Sequence, residues 1–225
     1  MDQVDQDPRF RSVYPGWNAA LVTCLEWPHE LVLDLGCGCA GNARFLAEIG
    51  ATVIGVTWNP EECKQAGRFC SEVYCHDLND GLPAIGANDY DLVVCSHVLE
   101  HIAYPEKLLR DITTALRPGG RLFVIFPNLF FWQDRLKLLG GIWNYADSGT
   151  FDYTHLRWYT KDSLTHLMCS QGLILDYFKA DGWIQLPGFK FLVGSKLRQK
   201  VNQLAGKWWP GLFGQQLIFA FRKRQ

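Results

Sequence analysis

Short apolar runs alternate, over the first two thirds of the chain, with segments whose apolar positions recur every three to four residues. "LVLDL" and "ATVIGV" are continuous apolar runs of strand length, as strands buried on both faces require. Between them "GNARFLAEIG" has the helical period and closes on Gly50. A second helix is predicted after Asn59, which stands as N-cap before Pro60, with Glu62 where a capping box places its acid. "EVYCHDL" and "YDLVVCS" read as a third and a fourth strand. "PEKLLRDITTALR" sets Leu108, Leu109, Ile112, Ala115 and Leu116 on one helical face and is stopped by "PGG"; "RLFVIFP" is a fifth strand.

Repeated strand–helix units of this kind predict a doubly wound α/β fold, a mostly parallel Rossmann-like sheet with helices on both faces. After Asn128 the rhythm breaks. "FFWQDRLKLLGG" is helical in pattern, and "GIWNYADSGTFDYTHLRWY" is a loop. "TKDSLTHLMCSQG" is a helix capped by Thr160. "LILDYFKA" and "GQQLIFAFRKR" bring the strand count to seven. The reading is one domain over 1–225, with a helix or lid at 1–29, a cap over the ligand edge at 128–160 and a basic, aromatic insertion at 183–212.

Composition supports a single full core: 225 residues, 48% hydrophobic and 20% charged. No apolar run approaches the ~18 residues of a membrane span. "MDQVDQDPRFR" lacks the basic-then-apolar pattern of a secretory signal, so a cytoplasmic protein is expected. The eight cysteines contain no C-x-x-C pair and read as free thiols. Cys63, Cys70, Cys75 and His76 match no common zinc spacing, so no metal is expected. The net charge of -1 conceals an asymmetry: from Gly182 onward there are eight Lys or Arg and no Asp or Glu.

The first strand runs into Asp34-Leu35-Gly36-Cys37-Gly38-Cys39-Ala40-Gly41, a G-x-G-x-x-G turn between strand and helix. Glycines there allow a tight turn and close approach of a ligand. The pattern is shared by dinucleotide dehydrogenases and S-adenosylmethionine (SAM) enzymes. Asp34 separates the two, because a carboxylate at that turn repels a pyrophosphate and attracts an ammonium.

On these residues the chain resembles the class I SAM-dependent methyltransferases. "LVLDLGCGCAG" is similar to their first motif, and "YDLVVCSHVLEHIAYPEKLLRDITTALRPGGRLFVIFPN" to the fourth-to-fifth-strand stretch of the UbiG-like and MetW-like branch. "WQDRLKLLGG" and "DYTHLRWYTKDSL" extend the resemblance over roughly residues 30–180. It implies SAM as cofactor, with Gly36, Cys37, Gly38 and Gly41 around the methionine part and Asp34 near its ammonium. Asp77 and Leu78 would meet the adenine, and Ser96 and His97 the sulfonium side. The position that should carry an acid for the ribose diol holds Thr57, with Trp58 beside it. A hydroxyl in place of a carboxylate costs roughly 1–2 kcal/mol, so Thr57→Asp is expected to tighten SAM binding.

Methyl transfer needs alignment, exclusion of water and sometimes a base. His155 and His97 are the candidate bases, unless none is needed. His101 reads as orienting its turn. Asp152, Tyr153, His155 and Arg157 are candidates for acceptor contact, and Arg157 suits an anion unless Asp152 or Asp147 ties it down. The basic, aromatic 183–225 region leaves open a packed insertion, peripheral contact with an anionic membrane, or, less favoured, nucleic acid. The expected activity is methyl transfer to oxygen of a small-molecule, saccharide or lipid-linked acceptor. The rival is a MetW-like partner of another enzyme that keeps the fold without the chemistry.

Overall fold

The computed structural model describes Leu21, residues 30–182 and residues 194–225. Seven strands form one sheet in the order β3-β2-β1-β4-β5-β7-β6. The first five are β1 (Leu31–Leu35), β2 (Thr52–Thr57), β3 (Glu72–Cys75), β4 (Tyr90–Ser96) and β5 (Leu116–Pro127). They are mutually parallel, and β7 (Gly214–Lys223) runs antiparallel between β5 and β6 (Leu173–Gly182). The doubly wound class is therefore met, with its one reversed strand inside the sheet.

Alternation along each strand makes two cores. Leu33, Leu35, Val93, Cys95, Leu122, Val124, Phe219 and Phe221 face one side, where Leu108, Leu109 and Ile112 of helix α3 (Pro105–Ala115) and Leu164 and Met168 of α5 (Lys161–Ser170) cover them. Val32, Val53, Leu92, Val94, Phe123, Ile125 and Ile218 face the other. There they meet Ala43 and Leu46 of α1 (Gly41–Glu48), Ala66 of α2 (Pro60–Ala66) and Leu21. Both cores are apolar because strands covered on both faces have no solvent side to reserve for polar residues.

Two of the described α-helices carry a side-chain N-cap. Thr160 and Ser163 form a reciprocal capping box on α5. Asn59 caps α2 by accepting from the Glu61 amide at 2.9 Å, but Glu62 does not turn back to complete a box; its carboxylate is engaged elsewhere. α3 ends at Ala115, short of the expected Arg117; Leu116 opens β5 instead of completing the helical face, and Pro118-Gly119-Gly120 lies within that strand. Arg121 and Arg222, opposed on β5 and β7, both reach Asp176 of β6, which relieves a like-charge pair.

Helix α4 (Trp132–Leu139) follows β5, and the loop after it hydrogen-bonds back to Glu100 beyond β4. Within the insertion, α6 (Ser195–Trp208) and the single turn α7 (Pro210–Phe213) precede β7, and α6 packs on β6. No helix among the described residues is long and apolar enough to cross a membrane. The expected N-terminal lid, with Tyr14, Trp17 and Asn18, and the aromatic positions Trp183, Phe189 and Phe191 lie outside the described residues.

Candidate cofactor and acceptor site

Parallel register ends four strands on one edge. Leu35 pairs with Val56, Thr57 with Cys75 and Ser96 with Ile125. From that edge the glycine loop leaves β1. Gly36 (φ +63°), Gly38 (φ +51°) and Ala40 (φ +67°) are left-handed. A side chain at Gly36 would put its Cβ 2.6 Å from Val98 Cγ2, so the loop lies against the exit of β4. Gly41 opens α1, and the left-handed step before the helix falls to Ala40.

Asp34 is 1% exposed, and neither carboxylate oxygen has a hydrogen-bond partner among the described residues. Burial foremost pushes its pKa up to about 7; the Ala43 amide, directed at the carboxylate without full hydrogen-bond geometry, offsets only part of that rise. Cys37 is buried too. Its thiol and that of Cys70 converge over Gly55, where an added Cβ would sit 2.9 Å from each sulfur. Contact with Cys70, then burial, pushes the Cys37 thiol far above its ordinary range, so it is packing and not a nucleophile.

At the end of β2 the hydroxyl of the buried Thr57 donates to Glu62 Oε2 at 2.6 Å. Glu62 Oε1 lies 4.0 Å from where a Cβ on Gly38 would stand. A carboxylate therefore borders the glycine loop after all, delivered from α2 instead of the strand end. This residue was read from sequence only as a cap; its one signal is an acid five residues past Thr57. Trp58 is 73% exposed and open to a ligand. Asp77 is exposed and accepts from the Asn79 amide at 2.9 Å, and Leu78 beside it is buried.

Past β4, His97 is left-handed (φ +56°) and its Nδ1 meets Glu100 Oε1 at 3.2 Å. Ser96, the last residue of β4, is half-buried beside it. The Glu100 carbonyl accepts the Leu156 and Arg157 amides at 2.7 and 3.1 Å, which pins the covering loop to this exit. His155 is consequently buried, and its ring meets that of His101 edge-on, with centroids 4.7 Å apart. Burial foremost lowers the pKa of His101, against an opposing pull from Glu100, and neighbouring His155 adds to the lowering. Asp152 is buried and accepts from Thr154 N and Oγ1. Arg157 Nε donates to the Ala103 carbonyl at 2.7 Å, so the loop is tied down through backbone and not through Asp152 or Asp147. Tyr153 is exposed. His155 thus lies beside Glu100 and His101, Asp152 and Arg157 are engaged within the loop and by Ala103 respectively, and Tyr153 is exposed.

A seven-stranded sheet with its reversed strand beside β5, a glycine loop and a buried carboxylate at its turn define a SAM-dependent methyltransferase domain. The family profile described as a methyltransferase domain matches residues 23–177, and the chain belongs to that family. Among curated proteins it is 28% identical over 130 residues to a ubiquinone biosynthesis O-methyltransferase of Coxiella burnetii, covering 54% of this chain and 55% of that one. It is 34% identical over 105 residues to the same-named protein of Xanthomonas axonopodis pv. citri, covering 44% of each. The chain thus spans about half the length of these relatives. In structure it is similar to SAM-dependent methyltransferases of Archaeoglobus fulgidus (TM-score 0.59, 20% identity, 86% of each chain) and Methanosarcina mazei (TM-score 0.63, 16% identity, 93% and 99% covered). Those two likenesses bear on fold alone.

SAM fits the residues present. Its ammonium would supply the counter-charge that the buried Asp34 carboxylate lacks, and its ribose would find Glu62 and Thr57 beside the loop. Asp34 protonated near neutrality must ionise to hold a cation, so SAM binding should release a proton below pH 7. Affinity is then expected to rise with pH up to about 7 and level off, which calorimetry in buffers of different ionisation enthalpy measures. A raised folded-state pKa also means that Asp34 favours folding below pH 4, and that this contribution is lost as pH rises through 7. Asp34→Asn should accordingly raise the unfolding temperature of the SAM-free protein at pH 8 while abolishing SAM binding.

The expectation for Thr57→Asp reverses. A second carboxylate would stand against Glu62 in a buried position, where like charges repel. Thr57→Asp is expected to weaken SAM binding and lower the unfolding temperature. Glu62→Gln should weaken SAM binding roughly tenfold by removing charge-assisted hydrogen bonds. Calorimetric Kd values equal to wild type in Glu62→Gln would remove Glu62 from the ribose site.

Proposed function

We propose that this chain transfers the methyl group of SAM to an oxygen atom of a small-molecule acceptor. The observation that carries the proposal is Asp34: an unpaired carboxylate held in the core at the glycine turn, where a ligand ammonium stabilises it. A purely scaffolding role leaves that group unexplained. SAM supplies the electrophilic methyl group when bound. The chain's share is to hold the cofactor through Asp34, the glycine loop, Glu62 and Asp77, and to exclude water with the loop pinned on Glu100.

An acceptor hydroxyl must shed its proton as the new bond forms. We assign that proton to His155, buried in the loop held by Glu100, or to His97, just past β4, and Asp152 and Arg157 would shape the acceptor side. That the named relatives act in ubiquinone biosynthesis as O-methyltransferases supports oxygen as the acceptor atom. Incubation with methyl-tritiated SAM and a cell extract should move label into an extractable small molecule. His155→Ala is expected to lower the rate at least tenfold with SAM affinity unchanged; undiminished transfer removes His155 from the acceptor site.

Peripheral membrane contact belongs to the same reading, with a lipid-linked acceptor as its counterpart. On α6, Leu197, Leu204 and Trp208 share one stripe, 57%, 46% and 68% exposed, and Trp209 follows at 63%. Lys200 and Lys207 flank them, while Ala205 is buried. Basic residues beside exposed aromatics suit an anionic lipid surface. Vesicles containing phosphatidylglycerol should sediment the protein and phosphatidylcholine vesicles should not; Trp208→Ser with Trp209→Ser should abolish the difference. Equal recovery with both vesicle types would rule the contact out.

A further inference from the structure

Glu100, His101 and His155 bring one carboxylate oxygen and two ring nitrogens within 4.8 Å of one another. Glu100 is 1% exposed. Its Oε1 meets His97 Nδ1, and its Oε2 is buried with no hydrogen-bond partner among the described residues. An acceptor left unmet in the interior costs free energy that a ligand recovers.

The two imidazoles are oriented from behind. His155 Nδ1 faces the Thr150 carbonyl at 3.2 Å and must carry the proton, because a carbonyl only accepts. Thr154 Oγ1 gives its single proton to Asp152 Oδ1 at 2.6 Å. It therefore accepts from His101 Nδ1 at 3.0 Å, as the Thr154 carbonyl does at 3.3 Å. Both rings keep their lone pair on Nε2, the arrangement in which outer partners hold metal-ligating histidines.

We propose that Glu100, His101 and His155 form a divalent transition-metal site on the acceptor side of the domain. Two imidazoles with one carboxylate suit a borderline first-row ion such as Zn(II) or Co(II). Three protein ligands leave coordination positions for an oxygen of the acceptor, whose hydroxyl the ion would acidify. With His155 Nε2 committed to the ion, the proton would pass to water, and His155 would serve transfer as a ligand and not as the base. This role rests on the methyltransferase reading above, whereas binding of the ion does not. The ligand set is separate from the Cys63, Cys70, Cys75 and His76 group that the sequence raises. It escapes sequence inspection because His155 lies more than fifty residues from the other two ligands.

The test is a titration of chelator-treated full-length protein with cobalt chloride, followed by visible absorption and calorimetry, beside a separate SAM titration. Wild type is expected to bind one equivalent and to show the d–d bands of nitrogen- and oxygen-ligated Co(II). Glu100→Gln and His155→Gln are each expected to weaken binding roughly tenfold or more, and Cys63→Ser to bind as wild type. SAM affinity and metal-free unfolding temperature serve as folding controls; if Glu100→Gln fails them, His101→Gln and His155→Gln decide. No uptake by wild type, or uptake unchanged in the histidine variants, overturns the site. Uptake without SAM binding keeps the site and overturns the methyltransferase reading instead.

Discussion

A carboxylate withdrawn from water with no counter-charge is among the least favourable groups a core can hold. Asp34 is that group here, and the surrounding architecture explains why it persists. It lies on β1, a central strand paired on both sides, so its backbone cannot move aside without breaking two ladders. The turn that follows is fixed by left-handed glycines and by Val98. Rigidity on this scale converts a local instability into affinity for a cation, because the folded chain cannot relax the charge away. On the function proposed above, stability and cofactor recognition are opposed at one residue.

The second half of the domain works differently. Glu100 holds the covering loop with its backbone carbonyl and, by its side chain, orients His97. One residue in a single turn of 3-10 helix therefore couples the exit of β4 to the loop that shields it. Arg157 adds a second tie through Ala103. The acceptor side is built on hydrogen bonds between loops, the cofactor side on the sheet, and only the former is free to vary without disturbing the core.

The strands and the helices α1 to α5 were legible in the chain because burial on both sheet faces leaves unbroken apolar runs, and amphipathic helices leave a period. The glycine turn and Asp34 were legible for a similar reason, since a backbone conformation and a buried charge each demand a particular residue type. Glu62 was not. Its position after Asn59 and Pro60 satisfies a local capping signature, and only tertiary geometry shows the carboxylate turned to Thr57. The pairing of His101 with His155 was hidden by distance along the chain, and backbone bonds from Leu156 and Arg157 to Glu100 leave no trace in side-chain pattern. Helix α6 lies in a segment where interleaved basic and aromatic residues mask the helical period.

The reversed strand has a kinetic consequence. β7 joins β5 with Leu122 opposite Phe221, so about a hundred residues separate partners that lie side by side. Closing so long a loop costs chain entropy before any pairing compensates it, and contacts of this range slow the search for the native state. The parallel strands β1 to β4 can assemble while β5 still presents a bare edge. Until β7 arrives, that edge is the surface on which nascent chains would adhere to one another.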